Sequence, residues 1–330
     1  MRKIVVVTGA GAGVGRATAE AFARAGCDVG LIGRDRARLE AAAEALGALG
    51  VRSLVQTADV ADADAVAAAA DQIEAGLGPI DIWVNNAMAT IFAPVGDVTA
   101  DEYRRATEVT YLGTIHGCKA AMRMMNRRGK GVIINVGSAL AYRSVPLQSA
   151  YCGAKSAIRG FTDSLRSELI HDRSGIRLCM VHLPAINTPQ FDWALNKMGR
   201  RPRPVPPVYS PDVPARAIVY AAFHPRRELW VGWPTVKAIL ANRIAPAFAD
   251  WYLASTGYSG QLTSEPEPED RPANLFEPVA GDYGAKGRFT DKERGTSLEL
   301  FSDRHKAATI GLGLLLGASA LAWLGSARER

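Results

Sequence analysis

The chain has little of what marks several functional classes. Its 330 residues include only four cysteines and five histidines. Cys27, Cys118, Cys152 and Cys179 are scattered with no Cys-x-x-Cys, which fits a reducing compartment. His116, His171, His182, His224 and His305 have no partner at ligand spacing, so no metal site is expected. Strong charge of one sign is missing too, the formal net charge being +6. The basic clusters Arg123–Lys130 and Lys197–Arg203 lie in Gly/Pro-containing stretches without aromatic interleaving, which argues against a nucleic-acid partner. The first apolar run begins too early and ends too soon for a signal peptide. What remains is 48% hydrophobic and 22% charged, a globular chain long enough for one large domain with extensions or two small ones.

That first run, Ile4–Val7, is β-branched and unbroken, as in a parallel strand covered on both faces. Thr8, Gly9, Gly11, Gly13 and Gly15 follow, then the helical pattern Ala17, Ala21, Phe22 and Ala25. Strand, glycine turn and helix is the setting in which glycines cradle a pyrophosphate against a helix N-terminus. A second strand ends at Gly33-Arg34-Asp35, where an adenosine ribose would lie. The Arg34 fork suits the 2′-phosphate of NADP, with NAD the lesser expectation; the alternative leaves Arg34 exposed and Asp35 accepting the ribose. A third strand closes at Asp59-Val60, an Ala-rich helix covers 62–75, and Ile80–Val84 runs into Asn85-Asn86-Ala87. A single long helix is expected after Thr99, then the buried strand Val132–Val136. Two more apolar strands begin near 176 and 228. About seven strands alternating with helices predict an α/β fold, a doubly wound, Rossmann-type parallel sheet.

Ser138 falls at the C-terminal end of its strand, the edge where ligands bind in such sheets. Tyr151 and Lys155 follow, four apart in a segment whose Ile158, Phe161, Leu165 and Leu169 keep helical spacing. The pair therefore shares one helix face. A cation about 4 Å from a phenol, at an effective dielectric of about 20, favours the phenolate by roughly 4 kcal/mol. That is roughly three pKa units, enough to make Tyr151 a proton carrier near neutral pH. Alone, a Tyr-x-x-x-Lys pair is commonly an exposed helix pair.

Taken in order, Thr8-Gly9-x-x-x-Gly13-x-Gly15, Asp59-Val60, Asn85-Asn86-Ala87, Ser138, Tyr151-x-x-x-Lys155 and Pro184-x-x-x-Thr188 resemble the short-chain dehydrogenase/reductase family, in its single-domain oxidoreductase branch. The resemblance covers about residues 1–235. It implies Tyr151 as general acid/base, Lys155 as its tuner and nicotinamide-ribose ligand, and Ser138 as the substrate-oxygen ligand. It implies cofactor contacts from Thr8, Gly9, Gly13, Val14, Gly15, Arg34, Asp59, Val60, Asn86, Ala87, Tyr151, Lys155, Pro184 and Thr188, a small carbonyl or alcohol substrate, and a homo-oligomer. Two positions depart from the pattern. Met88 stands where the family usually has glycine, and Thr110 where it usually has a relay asparagine, so Thr110 is a candidate catalytic residue with less reach.

The rest of the chain is less regular. Residues 186–214 are expected as a substrate lid whose Phe191, Trp193 and Tyr209, with Leu140, Tyr142 and Leu147, make an apolar pocket or simply pack the core. One or two helices interrupted at Pro246 follow and complete a catalytic domain over 1–260. Residues 261–305 read as a polar linker. Residues 306–327 contain a charge-free run from Ala307, flanked by basic residues, about 31 Å long if helical. It is expected to be a single-pass membrane anchor carrying a cytoplasmic catalytic domain. Two other functions stay open. One is a tethered nucleotide-binding scaffold with little turnover, supported only by Thr110; the other is a sugar-nucleotide epimerase, which usually has a different glycine spacing.

Overall fold

The computed structural model describes residues 2–268 and 270–297. Seven strands form one sheet: β1 (Ile4–Thr8), β2 (Asp28–Gly33), β3 (Ser53–Thr57), β4 (Ile80–Asn85), β5 (Gly131–Ser138), β6 (Ile176–Leu183) and β7 (Glu228–Trp230). They pair in parallel in the order β7-β6-β5-β4-β1-β2-β3. The order reverses between β1 and β4, which opens a crevice at the carboxyl edge. Alternate residues of each central strand enter different cores. Val5, Val7, Val29 and Leu31 meet α1 (Gly13–Arg24) and α2 (Arg36–Gly47), while Ile4, Val6 and Ile32 meet α3 (Ala63–Leu77). Burial on both faces explains why these strands lack polar alternation. The third strand stops at Thr57, so Asp59 and Val60 lie in the turn beyond it.

The single helix expected after Thr99 is divided. Thr99 and Glu102 form a reciprocal capping box that starts α4 (Ala100–Thr107). A wider π turn, Glu108–Leu112, then precedes α5 (Gly113–Asn126). The extra residue swings Thr110 inward, where its hydroxyl accepts from Ala89 N and donates to Ala89 O. The tyrosine helix is α6 (Ser149–His171), followed by α7 (Asp212–Phe223). The segment broken at Pro246 is two helices, α8 (Trp233–Ile244) and α9 (Pro246–Gln261).

The stretch expected as a polar linker is laid against the domain over its described part. Leu262–Pro266 pairs antiparallel with Arg200–Pro202, and Glu293–Arg294 pairs with Val208–Tyr209. Leu275, Val279 and Phe289 are buried. Composition pointed to solvent because most residues between these three are exposed. Three apolar side chains and many backbone carbonyls suffice to hold the segment down. Among the described residues no helix is long and apolar enough to cross a membrane. The apolar run at 306–327 lies outside the described residues.

Candidate active site

At the carboxyl edge, the Thr8 hydroxyl accepts from the N–H groups of Asn86 (3.0 Å) and Ala87 (3.2 Å). The Asn86 amide returns a hydrogen bond to Thr8 O at 3.0 Å. These contacts clamp the ends of β1 and β4 together. Gly9 turns between them with φ of 66°, and a Cβ there would stand 2.9 Å from Ala87 Cα. A Cβ on Gly15 would meet Gly9 O at 2.0 Å, so the turn admits only glycine at both places. No side chain caps α1 at Ala12, which leaves its first N–H groups as donors on the cavity side.

A cavity of about 540 Å³ runs from this turn to the tyrosine helix. Gly9, Gly13, Val14, Arg34, Asp59, Val60, Asn86, Ala87, Ser138, Tyr151, Lys155, Pro184 and Thr188 all line it. Thr8 and Gly15 lie just behind its wall as braces, and so does Thr110. Asn85 instead turns into the core, bonding Trp83 and Asn135. Met88 is on the wall.

At the far end, the Asp35 carboxylate caps α2 by accepting from Arg38 N at 3.1 Å. Asp59 pairs with Arg105 and accepts from Ala61 N. Arg34 donates to the carbonyls of Asn274 and Phe276. Arg38, which the sequence reading passed over, is buried against the ring of Trp193 at 4.6 Å. One terminal nitrogen of Arg38 has no hydrogen-bond partner among the described residues. Two guanidinium groups, one with an unused donor, are a donor set that fits a phosphate at the ribose end of a dinucleotide. The spacing Arg34-x-x-x-Arg38 was the available signal.

At the other end, Ser138 Oγ accepts from Leu140 N, and the hydroxyl lies beside Tyr151. Lys155 is buried, its Nζ 2.7 Å from Val136 O and 5.6 Å from the Tyr151 ring centre. Burial lowers Lys155 to about 7. It raises the Tyr151 phenol well above its usual value, with the Ser138 hydroxyl pulling it back in part. The expected depression of Tyr151 by Lys155 is thus not what this geometry gives. Both groups lose solvent, and the ammonium is turned to a carbonyl rather than to the phenol oxygen. Among the described residues no hydrogen bond joins Thr110 to Lys155. Behind Ser138, buried His182 lies 3.2 Å from Ser138 O and 3.6 Å from Glu228. Burial lowers His182 to about 4. The Tyr142 hydroxyl donates to Glu228 at 2.6 Å.

The expected apolar wall is partly present. Leu140, Phe191 and Trp193 line the cavity, as do Tyr252 and Leu253 of α9. Tyr142 packs on His182, while Leu147 and Tyr209 are buried in the core. Around the α8–α9 pair, Trp233, Ile244, Phe248 and Trp251 are exposed.

Comparison with known proteins matches residues 3–198 to the family described as short chain dehydrogenase. An uncharacterized oxidoreductase of Bacillus subtilis, YxnA, is 28% identical over 99% of this chain and 91% of its own length. The uncharacterized oxidoreductase Rv1543 of Mycobacterium tuberculosis is 32% identical over 75% of this chain and 72% of its own. The probable oxidoreductase EphD of the same species is 38% identical over 56% of this chain, a match that spans 31% of EphD. Among solved structures, an alcohol dehydrogenase of Thermococcus sibiricus complexed with 5-hydroxy-NADP superposes with a TM-score of 0.60 at 26% identity, covering 70% of this chain and 96% of that one. L-Sorbose reductase of Gluconobacter frateurii, complexed with NADPH and L-sorbose, gives 0.62 at 25% identity, covering 70% and 95%.

Proposed function

The chain belongs to the short-chain dehydrogenase family and is an oxidoreductase of that type, and we propose that it interconverts a carbonyl and a secondary alcohol with NADP on an apolar substrate. The observation that carries this reading is the convergence of the glycine turn, Arg34, Ser138, Tyr151 and Lys155 on one cavity. The chemistry that such a dinucleotide supplies is a hydride at its nicotinamide ring. Tyr151 holds a proton at neutral pH, because burial keeps its phenol protonated, and can pass it to an oxygen gaining charge. The Ser138 hydroxyl lies beside Tyr151 and can hold that same oxygen. Burial lowers Lys155 to about 7, so its Nζ can take up or release a proton close to neutral pH. Asn86 and Ala87 keep the β4 end against the glycine turn, which fixes the cavity floor.

Arg34 and the unused Arg38 donor support NADP over NAD, and the Leu140, Phe191 and Leu253 wall supports an apolar substrate. The test is a panel of ketones and alcohols of graded polarity, assayed with NADPH and with NADH. Turnover with NADPH that rises with substrate hydrophobicity is expected; equal use of both cofactors, or a preference for sugars, defeats the respective part. The apolar run at 306–327, with basic flanks, supports a single-pass anchor bearing a cytoplasmic catalytic domain. Equal recovery in the soluble fraction with and without residues 305–330 would sink the anchor.

A further inference from the structure

The most unusual feature of the cavity is the segment that crosses it, which comes from about 240 residues beyond the strand it covers. It has almost no regular structure between Leu275 and Phe289, yet both of those side chains are buried and pin its ends. Near the first pin, Arg105 donates to Leu275 O at 3.0 Å. Near the second, Asn187 Oδ1 accepts from Phe289 N, and the Asn187 amide donates to Glu293. In the middle the contacts fall on groups of the cavity itself. Arg34 gives both terminal nitrogens to the carbonyls of Asn274 and Phe276. Arg38 gives Nε to Gly281 O at 2.6 Å. The Gly13 N–H, in the glycine turn, donates to Gly284 O at 3.0 Å. The Arg38 guanidinium lies against two rings, Trp193 at 4.6 Å and Tyr283 at 5.2 Å, which meet each other edge to face at 4.7 Å.

The carbonyl oxygens of the segment thus occupy donors suited to the oxygens of a bound phosphate, at both the ribose end and the glycine turn. Neither set of donors can serve a carbonyl and a phosphate with full strength at once. Resting on the nucleotide-binding reading above, we propose that residues 274–287 are a working part of that site: a strap that must unlatch from Arg34, Arg38 and Gly13 for a dinucleotide to load or leave. Loading is then gated by the chain's own movement rather than by encounter.

Stopped-flow fluorescence of NADPH binding to the full chain tests this. The observed association rate should level off as NADPH is raised, and the plateau is the unlatching rate. Tyr283→Ala, which removes from a half-exposed position the strap's ring against Arg38 and Trp193, should raise the plateau about tenfold. Tyr283→Phe keeps the ring and should restore the wild-type plateau. Hydrogen exchange of the Gly13 amide, which donates to Gly284 O, measured in the unliganded wild-type chain under conditions where opening limits exchange, gives the same rate without a variant and should equal the plateau. A rate that climbs linearly with NADPH and is the same in all three proteins would overturn the strap while leaving nucleotide binding intact. So would exchange far faster than a measured plateau. If no protein binds NADPH or NADH, the nucleotide reading fails and the strap with it.

Discussion

The two ends of the cavity are built in different ways. At the catalytic end, Ser138, Tyr151 and Lys155 come from one strand and the helix that follows it, within eighteen residues of sequence. At the nucleotide end, the floor comes from the first two βα units, while the cover comes from residues 274–287. One end has its geometry set by local periodicity and sheet register. The other depends on long-range contacts between arginines and backbone carbonyls. The first should respond to changes in chemistry, and the second to changes in latching.

The sharpest way to break this contrast is Tyr151→Phe. Removing the phenol oxygen takes away the proton carrier and leaves the ring, so turnover should fall by about 10³-fold while NADPH affinity holds within about twofold. A variant that loses affinity as much as turnover would mean that the catalytic end is not self-contained. Lys155 comes next. Its ordinary value is 10.5 and burial lowers it to about 7, so between those values the unfolded chain binds more of the proton. Stability should therefore rise with pH across that window, with the full penalty present below 7. Against Lys155→Met, the wild-type chain should gain about 2 kcal/mol between pH 7 and 9, measured as the difference in urea unfolding free energy. Parallel curves would show that Lys155 is solvated.

How much could be read in advance follows the same division. The parallel sheet of about seven strands, Ser138 at a strand end and Tyr151 and Lys155 on one helix were legible, because a β-branched strand, a glycine turn and a four-residue helical spacing each leave a local mark; the strand order was not. The π turn at Glu108–Leu112 was not, since nothing in that run separates it from α-helix until Thr110 is seen bonded to Ala89. The strap read as a linker because its hold is mostly through carbonyls, which every residue carries. The direction of the Tyr151 shift was misread for another reason. Helical spacing does not show the burial that pushes the phenol up, and it fixes the face on which an ammonium lies but not the oxygen it points to, which for Lys155 is Val136 O.

Arg34→Ala sharpens the comparison from the nucleotide end, with a smaller effect. Losing a charged pair of donors should weaken NADPH binding about tenfold, while NADH, with no 2′-phosphate to lose, should bind more tightly by a few fold. The loss is held to that size because the same substitution frees the strap from two carbonyl contacts. Titration of both cofactors by fluorescence separates the two roles. An equal change for NADPH and NADH would mean that Arg34 acts only through the strap, and the 2′-phosphate assignment would fall.

The smallest effect on turnover is expected at Thr110, and it tests the claim that the catalytic end needs nothing from outside its own strand and helix. The Thr110 hydroxyl is fully buried and satisfies both the N–H and the carbonyl of Ala89, itself buried at the start of the loop after β4. Thr110→Val keeps the shape and removes the hydroxyl, so both backbone groups lose their partner at a cost of about 1–3 kcal/mol each. Because Thr110 makes no hydrogen bond to Lys155, the turnover of the folded variant should stay within about twofold of wild type, since the loss falls on stability alone. Turnover that drops about tenfold or more, with a changed pH profile and unchanged NADPH affinity, would instead make Thr110 part of the proton path, its π turn an element of the catalytic end rather than a brace behind it.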